Sequence, residues 1–458
     1  VASNSTFYMA GAGNLDVRDA TLTNNGTVLW SSGYFQGGGG SPGTLVYNNG
    51  LWDVQCDQVW NFNAYQGHGT VFNNNGTLRK SAGTNSSQTL FTGGVYLNQL
   101  SGVLDVQRGN FNLQGGANFA GGYVTTNNTG TTILSGGGFT MSGGLTSSNV
   151  VDNGGVPVGN NVIRGSMTWL SGSWNATTVT VSSNSTVYLA GGGSFDLRDA
   201  TLTNNGTMYW SGGPIHGGGG SPGTLVYNYG LWDVQCDQAW TFNDYQGNGT
   251  SFNNYGTFRK EGTVGTTTFT VGSNFTTPGT VDLRLGTVAF NGAVYPGPTS
   301  KLNLAIGGIN AGTQFGSESF GFPPPFTGTL SITLTNGFVP TNGNSFVIAT
   351  FPSSTGQFSS IQFPPLPVVS KWQLTYNPTS LLLQVVPSTA FLSSSLTNGN
   401  FKFSFAGQTG SSCLIEVSTN LLNWTPLLTN TPFNGTLNYV DPQTPQFRIR
   451  FYRATIFP

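Results

Sequence analysis

The stretch GGGGSPGTLVYN at residues 37–48 occurs twice in this chain, because it returns unchanged at residues 217–228. It lies inside a longer repeat. Residues 1–80 align with residues 181–260 without an insertion or deletion, and most positions are identical. An array in which each unit packs only on its neighbours tolerates such a block duplication, whereas a closed globular core does not. The repeat therefore predicts an elongated stack of units.

A shorter period runs inside each block. The turn signature Asn-Asn-Gly occurs at residues 24–26, 48–50 and 74–76, so its glycines lie 24 and 26 residues apart. Short strand-forming segments separate the turns, at residues 44–47, 51–54, 59–62 and 70–72. Units of about 25 residues with three short strands are typical of a β-solenoid, whose coils stack about 4.8 Å apart. We expect positive φ at the Asn and Gly corners, and equivalent Asn side chains bonded from coil to coil as a ladder.

These patterns predict an all-β protein in three parts. Residues 1–297 form a parallel β-helix (β-solenoid) rod of roughly a dozen coils, about 55 to 60 Å long. Residues 298–387 have longer apolar alternations and proline clusters, and we interpret them as a β-rich cap on the solenoid. Residues 388–458 alternate cleanly between turns, which predicts a small immunoglobulin-like β-sandwich.

Composition excludes several classes of partner. Only 7% of the 458 residues are charged and the net charge is −1, so we expect neither nucleic acid nor an anionic membrane surface as partner. The aromatic content of 13% indicates a large folded core. No apolar run reaches the 18 or so residues of a membrane span. Because the chain begins at Val1 without methionine, we expect an extracellular or cell-surface protein whose signal peptide has been removed.

Three phrases carry a resemblance to a known group of proteins: LWDVQCD at residues 51–57, NGFVPTNGNSF at residues 336–346, and IEVSTNLLNWTPL at residues 415–427. The first two resemble secreted autotransporter-passenger-like β-helix proteins of Verrucomicrobia and Planctomycetes. The third is similar to the C-terminal β-sandwich module typical of exported verrucomicrobial proteins. The resemblance implies lineage and export, and it carries over no catalytic residue.

Because the β-helix class includes polysaccharide-degrading enzymes, we searched for acid and base groups. His68 lies in a Gly-His-Gly tripeptide like that of polygalacturonases, with Arg79 and Lys80 downstream. The paired aspartates that would protonate a leaving group and activate water do not occur in the expected contexts, and Asn248 replaces His68 in the second copy. We interpret His68 as an exposed turn residue, and a pectin-lyase-like enzyme remains a second alternative.

Carboxylates that recur in both copies are candidates for calcium ligands, since calcium prefers oxygen. They are Asp53 with Asp57, Asp16 with Asp19, and their repeats Asp233, Asp237, Asp196 and Asp199. The nonapeptide of calcium-binding β-rolls is absent from the sequence. We therefore expect corner or surface aspartates that bond local backbone, no cofactor, and structural calcium as the alternative.

Two other motifs receive a structural interpretation. The glycine-rich run at residues 37–43 lacks the Gly-Lys-Ser/Thr ending of a phosphate loop, so it predicts a wide turn passing close to the adjacent coil. Alternation places Cys56 and its repeat Cys236 inward as small hydrophobes. An outward orientation, with a bond between subunits, is the alternative. Cys413 is predicted to lie in the sandwich core.

The hypothesis that unites these observations is a non-enzymatic extracellular structural protein, a subunit of a surface fibre or layer. The first strand, Thr6, Phe7, Tyr8 and Met9, has no evident polar cap, so we expect these residues to contact another copy head to tail and build a homopolymer. The first alternative is a polysaccharide-binding adhesin. Tyr229 and Tyr255 replace corner asparagines in the second copy, and they would either stack on sugar rings or bridge neighbouring coils.

Overall fold

The computed structural model describes residues 1–63, 67–84, 86–126, 129–243 and 247–457. The regular elements of these residues are β-strands and one short 3-10 helix, and none of these residues lies in an α-helix. Parallel strands stack coil upon coil into a β-solenoid, and antiparallel sheets follow at the C-terminus. The predicted all-β fold, a parallel β-helix followed by a sandwich-like module, is confirmed.

The strands of the first block and of the segment after it are β1 (Thr6–Met9), β2 (Asn14–Asp16), β3 (Thr21–Asn24), β4 (Thr27–Trp30), β5 (Tyr34–Gly38), β6 (Thr44–Asn48), β7 (Leu51–Val54), β8 (Val59–Asn63), β9 (Thr70–Asn74), β10 (Thr77–Lys80), β11 (Gln88–Phe91), β12 (Val95–Gln99), β13 (Val103–Val106), β14 (Asn110–Leu113), β15 (Ala117–Phe119), β16 (Tyr123–Thr126), β17 (Thr131–Leu134), β18 (Gly138–Thr140), β19 (Leu145–Asn153), β20 (Val156–Pro157) and β21 (Asn160–Ser173).

The second block and the end of the solenoid comprise β22 (Thr178–Val181), β23 (Thr186–Leu189), β24 (Phe195–Asp196), β25 (Thr201–Asn204), β26 (Thr207–Trp210), β27 (Ile215–Gly218), β28 (Thr224–Asn228), β29 (Leu231–Val234), β30 (Ala239–Asn243), β31 (Thr250–Asn254), β32 (Thr257–Lys260), β33 (Thr266–Phe269), β34 (Ser273–Thr277), β35 (Thr280–Leu283), β36 (Thr287–Phe290), β37 (Val294–Pro296), β38 (Lys301–Ile306), β39 (Ser317–Phe320), β40 (Pro325–Phe326), β41 (Thr329–Leu334), β42 (Ser345–Thr350), β43 (Thr355–Gly356), β44 (Ser360–Gln362), β45 (Ser370–Tyr376) and β46 (Ser380–Pro387).

Each coil places one strand on each of three faces. Face one holds β1, β4, β7, β10, β13, β16, the first parts of β19 and β21, then β22, β25, β28, β31, β34 and β37. Face two holds β2, β5, β8, β11, β14, β17, later parts of β19 and β21, then β23, β26, β29, β32, β35, β38, β41 and β44. Face three holds β3, β6, β9, β12, β15, β18 and β20, and it resumes at the end of β21 with β24, β27, β30, β33, β36, β39 and β42.

The second copy of the repeat is rotated by one face relative to the first. Strand β1 belongs to face one, whereas β23, its repeat, belongs to face two. Likewise β3 lies on face three and its repeat β25 on face one. The offset between the copies therefore equals a whole number of coils plus one strand, and the same surface occurs twice on different sides of the rod.

The parallel ladder does not stop at residue 297, where the sequence analysis ends the solenoid. Strand β38 pairs in parallel with β35 and β41, and β41 pairs in parallel with β44. Apart from isolated bridges, the strands of the described residues first pair antiparallel where β46 joins β42 and β45. The amino-acid composition changes at about residue 297, but parallel pairing continues as far as β44. Much of the predicted cap therefore continues the solenoid, and the hairpin of β45 and β46 covers one face at its end.

One corner of three successive coils in each copy is built on buried asparagines. Asn24 Nδ2 donates to Asn48 Oδ1 over 2.8 Å, and Asn48 Nδ2 donates to Asn74 Oδ1 over 2.7 Å. The second copy repeats this ladder through Asn204, Asn228 and Asn254, again at 2.8 Å. The predicted asparagine ladder is confirmed.

The reason for the corner glycines differs from our expectation of positive φ. Gly50 is not among the residues with positive φ. A Cβ at Gly50 would instead lie 2.1 Å from the carbonyl oxygen of Gly26 on the neighbouring coil. Glycine is required at this corner because the stacked backbones approach too closely for a side chain.

The interior of the solenoid is rich in aromatic side chains. Its largest fully buried side chains include Trp30, Trp52, Trp60, Trp169, Trp174, Trp210, Trp232 and Trp240. Phe35 stacks on Trp60 with ring centroids 4.3 Å apart, and Trp169 stacks on Trp174 at 4.1 Å. Such aromatic pairs stabilise the fold beyond the burial of their surface. Because Phe35 and Trp60 come from neighbouring coils, their contact helps to hold those coils together.

The C-terminal module has its own core. Its strands are β47 (Ala390–Thr397), β48 (Asn400–Ala406), β49 (Ser412–Ser418), β50 (Thr425–Asn430), β51 (Thr436–Asp441) and β52 (Phe451–Phe457), with a short 3-10 helix at Thr444–Gln446. Two antiparallel three-stranded sheets, β47-β48-β51 and β50-β49-β52, enclose Phe403, Phe405, Cys413, Ile415 and Phe433. Cys413 is buried as predicted.

Candidate functional site

The first coil presents an uncovered core position at the N-terminal end of the solenoid. Phe7 lies opposite Val28 in the ladder, which is a core-facing position, yet 49% of Phe7 is exposed. Its repeat, Val187, is completely buried because strand β21 covers it. A cavity of about 460 Å³ opens here, lined by Met9, Val28, Trp52 and their neighbours.

The outer edge of β1 carries free backbone groups. Ser5 and Met9 direct their carbonyl oxygens to Thr27 N and Ser31 N of the second coil. Because backbone groups of a parallel strand alternate between its two sides, those of Thr6 and Tyr8 point away from that coil. Among the described residues, β1 pairs with β4 alone. The sequence-predicted contact residues thus form a strand edge, and Tyr8 is 70% exposed.

Tyr229 and Tyr255 lie together at one corner of the rod. Their ring centroids are 5.0 Å apart with an interplanar angle of 10°, and both rings are about half exposed. This distance matches the spacing between coils, so each ring shows a face to the next coil rather than to the side of the rod. The contact is the bridge between neighbouring coils that the sequence analysis gave as one of its two interpretations.

Asp57 and Asp237 each neutralise a buried lysine. The Lys80 side chain is fully buried, and its Nζ donates to Asp57 Oδ1 over 2.6 Å and to the Cys56 carbonyl over 3.1 Å. Lys260 repeats this arrangement with Asp237 and Cys236 at 2.8 Å each. Burial opposes ionisation of Asp237, but hydrogen bonds from Lys260 and Thr263 outweigh it and hold the pKa of this carboxyl below its usual value.

We expect the two partners of this ion pair to respond unequally to mutation. Asp237→Ala leaves the buried Lys260 ammonium without its counter-ion and should lower the free energy of unfolding by about 2 kcal/mol, less than for a fully buried pair because Asp237 is partly exposed. Lys260→Met should change it by less than about 1 kcal/mol, since water can hydrate Asp237. Urea unfolding of both variants measures this asymmetry, and a larger loss in Lys260→Met would contradict it.

A charged stripe runs along face two in the second copy. Asp233, Arg259 and Asp282 are ladder neighbours, and Arg259 Nε donates to Asp282 Oδ2 over 3.0 Å. Burial, together with the nearby Glu261, raises the pKa of Asp233 to about 6. A groove of about 480 Å³ continues past Asp282.

Sequence reasoning missed the aromatic end of this stripe. Tyr188 stacks on Tyr209 with centroids 5.2 Å apart, and Asp233 follows them in the ladder. The alternation of inward and outward residues along each strand could have identified this row, because Tyr188, Tyr209 and Asp233 all occupy outward positions.

The remaining recurrent aspartates have local partners. Arg18 donates to both carboxylate oxygens of Asp16 and holds its pKa at about 2, and Arg198 binds Asp196 in the same way. Asp19 packs its carboxylate against Gly39 of the next coil. In the part of the chain that the structure describes, no three His, Cys, Asp or Glu side chains lie together as metal ligands would.

His68 is exposed in a turn, where its backbone forms an isolated bridge with Gly39. Asn248 forms the same bridge with Gly219 in the second copy. Both residues thus have the same backbone role. A histidine side chain is not needed for it.

The glycine-rich run and the cysteines are structural in their contacts. A Cβ at Gly37 would lie 2.1 Å from Thr70 Oγ1, which agrees with a turn passing close to the adjacent coil. Cys236 is buried and Cys56 is half-buried, and both are free thiols. Burial raises the pKa of both thiols to about 11, so they stay protonated at neutral pH and react slowly.

Glu318 is a buried acid that the sequence analysis did not identify. It lies two positions before Phe320 in β39 and therefore shares its inward orientation. Burial alone raises the pKa of Glu318 to about 8. The alternation of Ser317–Phe320 was the signal that could have found it.

Comparisons with known proteins assign no family to the chain. No protein-family model matches it, and no curated protein is detectably similar in sequence. In the described part of the chain, no helix has the length and apolar character needed to cross a membrane.

Proposed function

We propose that this chain is a non-enzymatic structural rod that acts outside the cell as a subunit of a fibre or surface layer, and that it self-associates through its first coil. The observation that carries the proposal is the uncovered Phe7 above the open edge of β1, set against the buried Val187 in the second copy. An exposed edge with an apolar position beside it is a template for pairing with another chain.

The opposite end of the solenoid supplies a complementary surface. Strand β44 lies at the outer edge of face two, and β43 pairs with β40 in a separate two-stranded sheet. The residues of both strands are exposed, and among the described residues each strand pairs with one neighbour. The hairpin of β45 and β46 covers face three. Head-to-tail contact therefore engages β1 and β2 of one copy with β43 and β44 of another. A contact between unlike surfaces extends into an open filament unless its rotation closes a ring.

A single backbone substitution tests this contact. Tyr8→Pro removes an outward N–H from β1 and leaves the hydrogen bonds to β4 in place, because proline is tolerated on the free side of an edge strand. Loss of this donor should raise the protein concentration needed for filaments at least about tenfold. Negative-stain electron microscopy and light scattering over a concentration series measure this change.

Tyr8→Thr is the matched control, since it removes the ring but retains the N–H and a good strand former. It should assemble nearly as the unmodified chain does. Isolated rods at all concentrations in the unmodified protein would overturn the proposal. That outcome would place polysaccharide binding first, and loss of glycan binding in Tyr229→Ala and Tyr255→Ala would then test it.

A further inference from the structure

A small cavity lies where the last coils of the solenoid meet the segment around residues 318–327. Its volume is about 50 Å³, and Val281, Val294, Phe320, Phe326 and Phe358 form most of its wall. By the volume that one water-sized group occupies, it holds about four or five non-hydrogen atoms. The cavity lies far along the chain from the first coil that carries the proposed function.

Glu318 lines this cavity and is the acid within it. Only 7% of the residue is exposed, and its ladder neighbours are the apolar Val288 and Ala349. Among the residues that the structure describes, none forms a hydrogen bond or an ion pair with the Glu318 carboxyl. Lys301 also lines the cavity, but burial alone accounts for the raised pKa of Glu318.

The Ser300 and Thr277 hydroxyls of the lining are already bonded. Ser300 Oγ donates to the Thr327 carbonyl over 3.3 Å, and Thr277 Oγ1 accepts from Asn254 Nδ2 over 3.1 Å. The cavity thus offers one uncommitted acid among apolar walls. Ordered water needs two to four polar partners, whereas an alkyl chain with one polar head matches this lining.

We propose that this cavity binds a short-chain primary amine, with the alkyl chain against the apolar wall and the ammonium group against Glu318. A buried carboxylate requires a counter-ion, and no cation among the described residues, Lys301 included, forms an ion pair with Glu318. A neutral alcohol of the same length fills the same space but leaves the acid without charge compensation. Either a free amine or the side chain of a lysine in another polypeptide has the required chemistry.

Binding is coupled to proton release. The free site holds the neutral acid, and the bound site holds a carboxylate next to an ammonium group, so one proton passes to the buffer for each amine bound. The affinity should therefore rise about tenfold per pH unit below pH 8, the pKa of Glu318, and level off above it.

Carbon-13 NMR of the side-chain carboxyls tests the proposal directly. Glu261, Glu318 and Glu416 are the glutamates of the chain, so protein labelled at glutamate Cδ gives a simple spectrum. At pH 7, butylamine should move the Glu318 resonance to the position of an ionised carboxylate and leave that of Glu416 unchanged. Butanol at equal concentration should leave Glu318 protonated. Equal effects of butylamine and butanol, or no effect of butylamine, would overturn the proposal.

Two variants separate the acid from the cavity. Glu318→Gln keeps the shape and should lose butylamine binding and its proton release, measured by calorimetry in buffers of different ionisation enthalpy. Val294→Phe fills the cavity and should lose binding while Glu318 remains visible by NMR. Binding of an N-acetyl-lysine amide as well as butylamine identifies a protein side chain as the occupant, and binding of butylamine alone identifies a free amine. Retained binding in Glu318→Gln would refute the assignment of Glu318.

Discussion

Glu318→Gln should remove a large part of the loss of stability that this protein shows as the pH rises from about 5 to 8. The pKa of Glu318 is about 8 in the folded chain, against 4.5 when the group is exposed to water. Its carboxyl is buried between the apolar Val288 and Ala349, so the folded state holds the neutral acid. Glutamine occupies the same space and has no charge to titrate.

The sign of the effect follows from proton linkage. Below pH 4.5 Glu318 is neutral in both states, and its ionisation does not affect stability. Between pH 4.5 and 8 only the unfolded chain ionises, so the free energy of unfolding falls as the pH rises. The loss reaches roughly 5 kcal/mol at pH 8 and is constant above it. Asp152, whose pKa burial raises to about 7, adds a loss of the same sign that Glu318→Gln does not remove.

Urea unfolding at pH 5, 6, 7 and 8 measures this prediction as the difference between the variant and the unmodified protein. The gain from Glu318→Gln should be small at pH 5 and largest at pH 8. Glu416→Gln is the control, because the partly buried Glu416 is bonded to Arg453, and hydrogen bonding from Arg453 lowers its pKa. A gain that is independent of pH would show that packing, and not ionisation, distinguishes Glu318 from glutamine.

The sequence predicted the fold because the coil period and the side-chain alternation are both local. The number of residues from Gly26 to Gly50 gives the length of a coil. Trp52 and Val54 are two residues apart in one strand, so they show which side of that strand faces inward. The buried acid Glu318 could be predicted only in part. The alternation of β39 places Glu318 on the same inward side as Phe320. The lack of a hydrogen-bond partner depends on residues from several coils, which the alternation within one strand does not specify.

The rotation between the two copies could not be predicted from the repeat. It depends on how many strands residues 81–180 contribute, and β19 and β21 each pass over more than one face within one continuous strand. Ser148 and Asn149 lie at the corner within β19, and Gly165 and Gly172 have positive φ at the corners within β21, but the Asn-Asn-Gly signature of the other corners does not occur there. The rotation has a functional consequence, since a surface present in both copies faces two directions and cannot bind one flat partner twice.

The partners of the recurrent aspartates could not be predicted from the sequence either. Asp53 and Asp57 are separated by three residues, and this close spacing predicted a carboxylate cluster. The structure instead pairs Asp57 with Lys80 from the next coil and leaves Asp53 bonded to Gln55. Repetition identified the residues that matter to the coil, but the cation that each carboxylate meets is determined by stacking between coils.

The duplication itself indicates which asparagines carry stability. Asn49 and Asn75 become Tyr229 and Tyr255 in the second copy, whereas Asn24, Asn48 and Asn74 recur unchanged. The first pair is exposed, and the second set is buried at the corner. Water can replace the bonds of an exposed amide, but it cannot reach those of a buried one.

Asn48→Leu is therefore expected to destabilise the solenoid by about 4 kcal/mol. The substitution keeps the number of side-chain heavy atoms and the branched shape but removes the acceptor for Asn24 Nδ2 and the donor to Asn74 Oδ1 and to the Thr77 carbonyl. A buried group left without a partner costs about 1 to 3 kcal/mol. Asn24 retains its bond to the Leu51 carbonyl, which keeps the loss below the full sum. Urea unfolding measures it.

Asn49→Tyr provides the comparison, since the chain already carries tyrosine at the equivalent corner. We expect a change below about 0.5 kcal/mol for this exposed position, because its bonds to Asn25 and Asn75 are open to water. Similar losses in Asn48→Leu and Asn49→Tyr would mean that the buried ladder contributes no more than the exposed one. The corner would then depend on the close contact between Gly26 and Gly50, and polar bonding between coils would not account for the rigidity that a load-carrying rod requires.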